Sequence, residues 1–223
     1  MKIFNALQAV DMPAKTASVF QLFHPASCPP YSLFRRPDGS PDVGALQSLA
    51  IAAQTSKEFF VLDYENPDST IVVPDLIRAV KEVCPGLETG VFGWPALGPA
   101  AIHATQKPYA VAPWLKLCKQ TLNLPAGVKY CPCLYSNLVP QIDYGILALT
   151  AALFVHNSPD CPPRIFLSNR VSGLAIGQIL GHDYLWGMLD AIDTLGWDVV
   201  LWSNPTDTMA DLQTLIWTAN EFA

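Results

Sequence analysis

The sequence predicts an α/β protein, a compact (β/α)8 TIM-like barrel with at most one irregular strand or helix, built as a single domain over residues 1–223. Short apolar segments alternate with helix-length segments along the chain, and such alternation is typical of a parallel sheet covered by helices. Polar and aromatic residues follow the predicted strands at their carboxyl ends, where barrel enzymes build their sites. The chain has no Gly-x-Gly-x-x-Gly turn and no Walker loop, which disfavours an open nucleotide-binding sheet.

Seven segments have the apolar or alternating character of strands, and an eighth is weaker. The seven are residues 2–5, 18–23, 59–64, 89–95, 128–134, 164–167 and 199–202. The weaker one lies near residues 109–112. The length of 223 residues suits one such unit better than two small domains.

Helix signals occupy most of the intervals between these strands. Ser40-Pro41-Asp42 and Val73-Pro74-Asp75 both have a proline suited to the first helical position. Later helices are predicted around residues 114–118, 142–153, 183–195 and 212–219 from the spacing of their apolar residues. Gly196 stands where a C-terminal cap belongs.

The composition indicates a well-filled core and excludes several partners. Hydrophobic residues make up 51% of the chain and charged residues only 14%, below the usual quarter. The net charge of −6 and the scattered Lys and Arg disfavour a nucleic-acid partner. Apolar runs are too short for a membrane-spanning helix, and the first residues lack the apolar centre of a signal peptide, so we expect neither feature.

Neither the cysteines nor the histidines form a recognisable metal motif. The six cysteines have irregular spacing, and Cys131-x-Cys133 predicts two thiols on one face of a strand. The four histidines show no His-x-His or His-Glu-x-x-His spacing. We therefore predict no metal and no cofactor, although His24 with Asp63 and Glu65 is a conceivable zinc site. Without a Gly-x-Ser-x-Gly elbow, acyl transfer by Ser168 or Ser203 is disfavoured.

Two acids at the end of the third strand give the strongest functional signal. Phe59 to Tyr64 reads as a strand buried on both faces, interrupted by Asp63 and followed by Glu65. Residues two apart in a strand point the same way, with Cα atoms about 6 to 7 Å apart. Buried charge is costly, so fold stability alone does not favour such a pair. The alternative is a cap and a solvated turn, because Asn66-Pro67-Asp68 is a turn sequence.

Aromatic and amide side chains at other strand ends indicate a neutral, polyhydroxylated ligand. Aromatic faces pack on sugar rings, and a carboxylate raises the pKa of a neighbouring carboxyl, which can then donate a proton to a glycosidic oxygen. We predict Asp63 and Glu65 as catalytic residues and a glycan or oligosaccharide as the ligand. The predicted substrate-binding residues are Trp94, Tyr135, Asn169, Trp202 and Asn204.

Four strand ends, in order, carry a family resemblance. They are Leu62-Asp63-Tyr64-Glu65, Gly90-Val91-Phe92-Gly93-Trp94-Pro95, Cys131-Pro132-Cys133-Leu134-Tyr135 and Val200-Leu201-Trp202. This order resembles the hyaluronidase family of glycoside hydrolases, which are distorted (β/α) barrels that cleave N-acetylhexosaminyl bonds with assistance from the substrate. The resemblance implies Glu65 as general acid/base, Asp63 as the residue that orients the acetamido group, and Tyr135, Trp94 and Trp202 as subsite lining.

The chain also departs from that family. It is markedly shorter, Asn66-Pro67-Asp68 replaces the aromatic-Arg-Pro segment after the acids, and no basic groove for hyaluronan is apparent. Muramidase-type barrels also carry an Asp-x-Glu strand, so the reaction class transfers better than the substrate. A non-catalytic carbohydrate-binding or structural barrel and a metal-dependent barrel hydrolase stay open as alternatives. The sequence leaves the oligomeric state undetermined.

Overall fold

The computed structural model of the protein describes residues 1–7, 15–21, 36, 40–56, 59–64, 69–93, 104–121, 124–136, 140–157, 162–171, 178–203 and 207–222. Its strands are β1 (Ile3–Asn5), β2 (Lys15–Gln21), β3 (Phe59–Asp63), β4 (Thr89–Phe92), β5 (Lys129–Cys131), β6 (Cys133–Ser136), β7 (Arg164–Val171) and β8 (Asp198–Trp202). Its α-helices are α1 (Val43–Ser56), α2 (Ser69–Val83), α3 (Val111–Thr121), α4 (Pro140–Asn157), α5 (His182–Thr194) and α6 (Met209–Asn220), and a 3-10 helix spans Pro108–Ala110. None of these helices is long and apolar enough to cross a membrane.

The strands form one sheet in the order β5-β4-β3-β2-β1-β8-β7-β6. Every pairing between neighbouring strands is parallel, as the alternation of strands and helices predicts. The fold is therefore a mixed α/β fold built on a parallel sheet, with the carboxyl ends of the described strands at the same edge.

A closed eight-stranded barrel, which the sequence predicted, is not formed by the described strands. The two end strands, β5 and β6, are separated only by Pro132, whereas parallel neighbours need a crossover of about a dozen residues. One continuous stretch instead bonds to both sides of the sheet. The Gly93 amide donates to the Cys131 carbonyl at 2.9 Å, and the Phe166 amide donates to the Pro132 carbonyl at 2.9 Å.

One face of the sheet carries a compact apolar cluster, which we call the interior cluster. Its buried members are Phe4, Ala6, Phe59, Val61, Phe92, Cys131, Phe166 and Val200. The rings of Phe92 on β4 and Phe166 on β7 lie 4.8 Å apart edge to face, although these strands are well separated in the sheet order. The sheet is therefore strongly curved around this cluster, and the other face packs against the helices in two larger clusters.

A buried arginine lies at the amino-terminal side of the interior cluster. The guanidinium of Arg164, the first residue of β7, stacks 4.0 Å from the Phe4 ring centroid and 4.2 Å from that of Phe59. It donates to Glu88 at 2.7 Å and to Asp198 at 3.4 Å. These two carboxylates compensate a charge that would otherwise be costly to bury.

Several of the described elements differ from their prediction. Residues 109–112 form the end of the 3-10 helix and the start of α3 instead of a strand, because Pro108 fixes a helix-compatible φ at the first position. The single strand expected at residues 128–134 is divided at Pro132. Helix α2 begins at Ser69 and includes Pro74, so this proline lies within the helix instead of opening it.

The last strand and helix follow the sequence closely. Gly196 adopts a φ of 70° after α5, a conformation that favours glycine. At the start of α6 the Thr208 hydroxyl accepts from the Asp211 amide, while the Asp211 carboxylate accepts from the Thr208 amide at 2.8 Å. This capping box satisfies two of the donors that a helix N-terminus leaves unpaired.

Candidate active site

Asp63 faces the interior of the curved sheet. Successive side chains of a strand point to opposite faces. Phe59 and Val61 belong to the interior cluster, and Phe60 and Leu62 pack beneath the helices. Asp63, two residues after Val61, shares the interior face at the carboxyl end of β3, and it is only 3% exposed.

Two other side chains, from strands in the other half of the strand order, lie on the same interior face. Phe166 and Val200 belong to the interior cluster, so Ser168 and Trp202, each two residues further on, face the interior as well. Ser168 and Trp202 are register partners on β7 and β8. Trp202 packs against the interior cluster while staying partly exposed. An acid, a hydroxyl and an indole therefore lie toward the carboxyl ends above an apolar floor.

An ion-pair network joins the end of β7 to Asp207 and to the first turn of α6. Arg170, near the end of β7, donates through Nε to Asp207 at 2.5 Å and lies 3.6 Å from the Asp211 carboxylate. The hydrogen bond to Asp207 is the main cause that raises the pKa of Arg170. The pKa of Asp211 is lowered, first by the Thr208 amide, then by the Thr208 hydroxyl and by Arg170. Asp207 and the start of α6 are thereby held against the end of β7.

Asn169 lies between a strand and a helix. It is fully buried, and its side-chain amide donates to the main-chain carbonyl of Asp211 on α6 at 3.0 Å. Sequence reasoning placed Ser168 and Asn169 beyond the strand, whereas β7 continues to Val171. Because the strand continues, alternation sends Ser168 to the interior and Asn169 toward the helix layer.

The other predicted site residues are only partly within the described structure. Tyr135 is a residue of β6, and its side chain is outside the described part. Glu65, Trp94 and Asn204 lie outside the described residues, and so does His24 of the conceivable zinc site. Among the described residues, no group of three or more His, Cys, Asp or Glu side chains is arranged to hold a metal ion.

Sequence reasoning did not assign a role to Arg170 or Asp207. Both follow polar residues at the ends of neighbouring strands, Ser168-Asn169 and Ser203-Asn204. Because carboxyl ends of parallel strands meet at one edge, an Arg and an Asp in these positions are a readable signal for an ion pair. Their mutual pairing also means that Arg170 is already committed to carboxylates within the protein.

Comparison with known proteins gives structural matches only. No protein-family model matches the sequence, and a search of characterised proteins gives no match. The chain resembles the monoclinic crystal structure of bee venom hyaluronidase with a TM-score of 0.55 and 13% identity, over 79% of this chain and 75% of that chain. A structure of bee venom hyaluronidase with a hyaluronic acid tetramer gives 0.47 and 12%, over 93% and 67%. At such low identity the likeness shows a distant relationship of fold alone.

Proposed function

We propose that this protein is a glycosidase-like protein that cleaves an O-glycosidic bond of an N-acetylhexosamine-containing glycan, with Glu65 as general acid/base and Asp63 assisting. The observation that carries the proposal is the placement of Asp63. It is a buried carboxyl group at the carboxyl end of β3, on the face it shares with Ser168 and Trp202. Burying a carboxyl group costs free energy that hydrogen bonds or ion pairs must offset, and acids in such environments are concentrated at functional sites.

The chemistry follows from two acids separated by one residue. Glu65 donates its proton to the glycosidic oxygen as the bond from that oxygen to the anomeric carbon breaks. The carbonyl oxygen of the sugar's own N-acetyl group attacks the anomeric carbon, and Asp63 accepts a hydrogen bond from the acetamido N–H. Water then attacks the anomeric carbon, gives its proton to Glu65 and restores the acetamido group. Substrate assistance explains why a second carboxylate on the opposite side of the bond is not required.

Trp202 supplies the surface that a sugar ring needs. Its indole is partly exposed and rests on the interior cluster, so it presents a rigid apolar face beside Ser168. The nearby Arg170 pairs with Asp207 and Asp211. Because these carboxylates compensate its positive charge, Arg170 is not available to bind an anionic polymer. We therefore propose neutral N-acetylglucosamine oligosaccharides as substrates in preference to anionic glycans such as hyaluronan. The fold likeness to a hyaluronidase supports the reaction class.

The test measures hydrolysis of chitooligosaccharides, peptidoglycan fragments and hyaluronan oligosaccharides by the wild type, Glu65→Gln and Asp63→Asn. We expect Glu65→Gln to lower turnover by at least about a hundredfold, the lower range for loss of a general acid, while ligand binding and Tm stay close to wild type. Asp75→Asn is the matched control, because Asp75 is an exposed acid paired with Arg78 on α2. Its activity should be unchanged.

The outcomes separate catalysis from binding. Cleavage that survives in Glu65→Gln would show that another group donates the proton. Folded wild-type protein that binds these sugars without cleaving them would instead support the non-catalytic carbohydrate-binding barrel. Trp202→Ala tests the site in either case, because it should weaken sugar binding. The control is Tyr109→Ala, which removes an aromatic side chain of the 3-10 helix outside the candidate site and should leave sugar binding unchanged.

A further inference from the structure

A continuous row of aromatic side chains lies on the outer surface of α4, α5 and α6. We call it the aromatic ridge, and its members are Trp217, His182, Phe222, Trp186 and Tyr144. The His182 and Trp217 rings stack 4.2 Å apart, and the Trp186 and Phe222 rings lie 5.6 Å apart. The Tyr144 hydroxyl lies against Gly187, where a Cβ would be 2.5 Å from it. His182 and Trp186 are one turn apart on α5, and Gly187 follows Trp186, so the two ring pairs lie on the same side of that helix and Tyr144 approaches it next to Trp186.

Three aromatic side chains of the ridge are more exposed to solvent than side chains that pack in a core. Trp217 is 57% exposed, Tyr144 41% and Trp186 40%. Single exposed apolar residues are ordinary, but a contiguous aromatic surface on a folded domain marks an interaction site. Tryptophan and tyrosine are also the residues that dominate binding energy at protein interfaces.

Apart from His182, the formal charges of the sequence around α5 and α6 are all negative. Residues 171–223 contain no Lys or Arg. Their acidic residues are Asp183, Asp190, Asp193, Asp198, Asp207, Asp211 and Glu221. Four of them are used inside the fold, since Asp198 pairs with Arg164, Asp207 and Asp211 pair with Arg170, and Asp193 pairs with the amino terminus. The remaining three are exposed: Asp183 and Glu221 lie 3.1 and 3.2 Å from the ring nitrogens of His182, and Asp190 lies about one helical turn after Trp186.

Helical spacing places one of these acids beside each tryptophan. Glu221 comes four residues after Trp217. Asp183 and Asp190 come three residues before and four residues after Trp186, and residues at such spacing are neighbours on a helix surface. Each indole therefore has a carboxylate about one turn away. This arrangement suits a side chain that lays an apolar stem on the ring and brings a positive charge to the acid.

The protein itself shows how such a group is held. His182 stacks on Trp217, while its Nδ1 lies 3.1 Å from Asp183 and its Nε2 lies 3.2 Å from Glu221. The hydrogen bond to Asp183, followed by that to Glu221, raises the pKa of His182 and favours its charged form. An imidazole that can take up a positive charge thus already lies between the indole of Trp217 and two carboxylates, and 57% of Trp217 is still exposed.

We propose that the aromatic ridge docks a segment of another protein that carries Lys and Arg residues. The exposed indoles supply the apolar surface, and Asp183, Asp190 and Glu221 supply the complementary charge. A second copy of this chain fits less well, because two equal acidic faces repel each other. Nucleic acid and acidic membrane surfaces are disfavoured for the same reason. This surface is separate from the proposed glycan site, so the two proposals stand or fall independently.

The test measures fluorescence anisotropy of a fluorescein-labelled peptide of alternating Arg and Ser, titrated with the full chain, with a peptide of alternating Glu and Ser as the charge control. We expect the Arg peptide alone to bind, and to bind several-fold more weakly at about 300 mM than at about 50 mM salt because screening shortens the range of the charges. The double variant Trp186→Ala/Trp217→Ala should weaken binding by about tenfold or more.

Two further variants give the comparison its specificity. Asp190→Asn/Glu221→Gln leaves the indoles in place and should weaken binding several-fold at low salt. Tyr109→Ala removes an aromatic side chain that is 72% exposed elsewhere on the surface, and it should bind like the wild type. Circular dichroism and Tm confirm that each variant is folded.

Four outcomes would contradict the docking proposal. Equal binding of the Arg peptide by the wild type and both double variants would locate the contact elsewhere and overturn the proposal. Absence of peptide binding by the wild type would overturn it too. If sedimentation velocity showed a dimer that Trp186→Ala/Trp217→Ala disrupts, with no peptide binding, the ridge would be a contact between copies. Saturable binding of neutral chitooligosaccharides at the ridge, without peptide binding, would make it a glycan surface.

Discussion

Replacing Gly90 by alanine should destabilise the protein through the interior cluster. Gly90 lies on β4, and a Cβ added there would be 2.6 Å from the Phe59 ring and 2.6 Å from the Cys131 sulfur. Carbon atoms in good contact are about 3.5 to 4.0 Å apart, so each neighbour would have to move by about 1 Å. Both neighbours are fully buried.

The loss of unfolding free energy in Gly90→Ala should be near the upper end of the range that overpacking of a core causes. Phe59 is held from its other sides by the Phe4 ring at 5.3 Å and by the Arg164 guanidinium at 4.2 Å, so it has little freedom to shift. Adding methyl-sized groups to a well-packed core costs about 1 to 3 kcal/mol, and two simultaneous clashes favour about 3 kcal/mol. For a domain of this size, such a loss lowers Tm by about 6 to 12 °C.

Chemical denaturation and thermal melting of Gly90→Ala beside Gly86→Ala provide the measurement. Gly86 has nothing within 4 Å of its added Cβ, so Gly86→Ala should stay within about 1 kcal/mol of wild type and can be slightly stabilising. In a double-mutant cycle, Phe59→Leu should offset at least about 1 kcal/mol of the Gly90→Ala loss, because it removes the clashing ring atoms. Equal midpoints for Gly90→Ala and Gly86→Ala would refute the packing of the interior cluster described above.

Three further predictions concern the charged and thiol groups. Arg164→Met should lower the free energy of unfolding by about 2 to 3 kcal/mol, less than the cost of breaking a fully buried pair because Glu88 reaches solvent; a urea midpoint like that of the wild type would contradict this. Asp211→Asn should destabilise the protein at neutral pH. Because folding lowers the pKa of Asp211, the difference in unfolding free energy between wild type and Asp211→Asn should be fully present above the ordinary pKa of 3.8. The difference should vanish as the pH falls through the lowered pKa. A difference that persists in acid would exclude the Thr208 hydrogen bonds as its cause. Burial raises the pKa of Cys118 to about 12, so Cys118 should resist iodoacetamide at pH 8 in the folded protein and react after unfolding, as mass spectrometry of labelled peptides can show.

The sequence alone was sufficient where a local pattern determines the structure. Helix α5, its glycine cap and strand β8 were predicted from apolar spacing and from Gly196, because these features depend on residues close together in the chain. The parallel sheet also follows from local information, since strands separated by helices can hardly pair in another way.

The eighth strand shows where local reasoning fails. Residues 109–112 looked weakly strand-like but form helical turns after Pro108, and the additional strand arises from the division of one stretch at Pro132. Which neighbours that stretch bonds to depends on β4 and β7, which are distant in sequence. No periodicity within residues 128–134 carries that information.

For the candidate site, the chemical groups can be read from the sequence, whereas the directions of their side chains follow from the packing of the folded chain. Alternation along β3 was enough to put Asp63 on the same face as Val61, because a strand has a fixed period of two. It could not say that this face is the interior one, since β3 is buried on both sides. The packing of the sheet against helices that are distant in sequence determines which face of β3 is the interior one. The same packing directs Asn169 toward α6 and brings Arg170 into its ion pair with Asp207. Burial and pairing depend on neighbours that only the folded chain brings together.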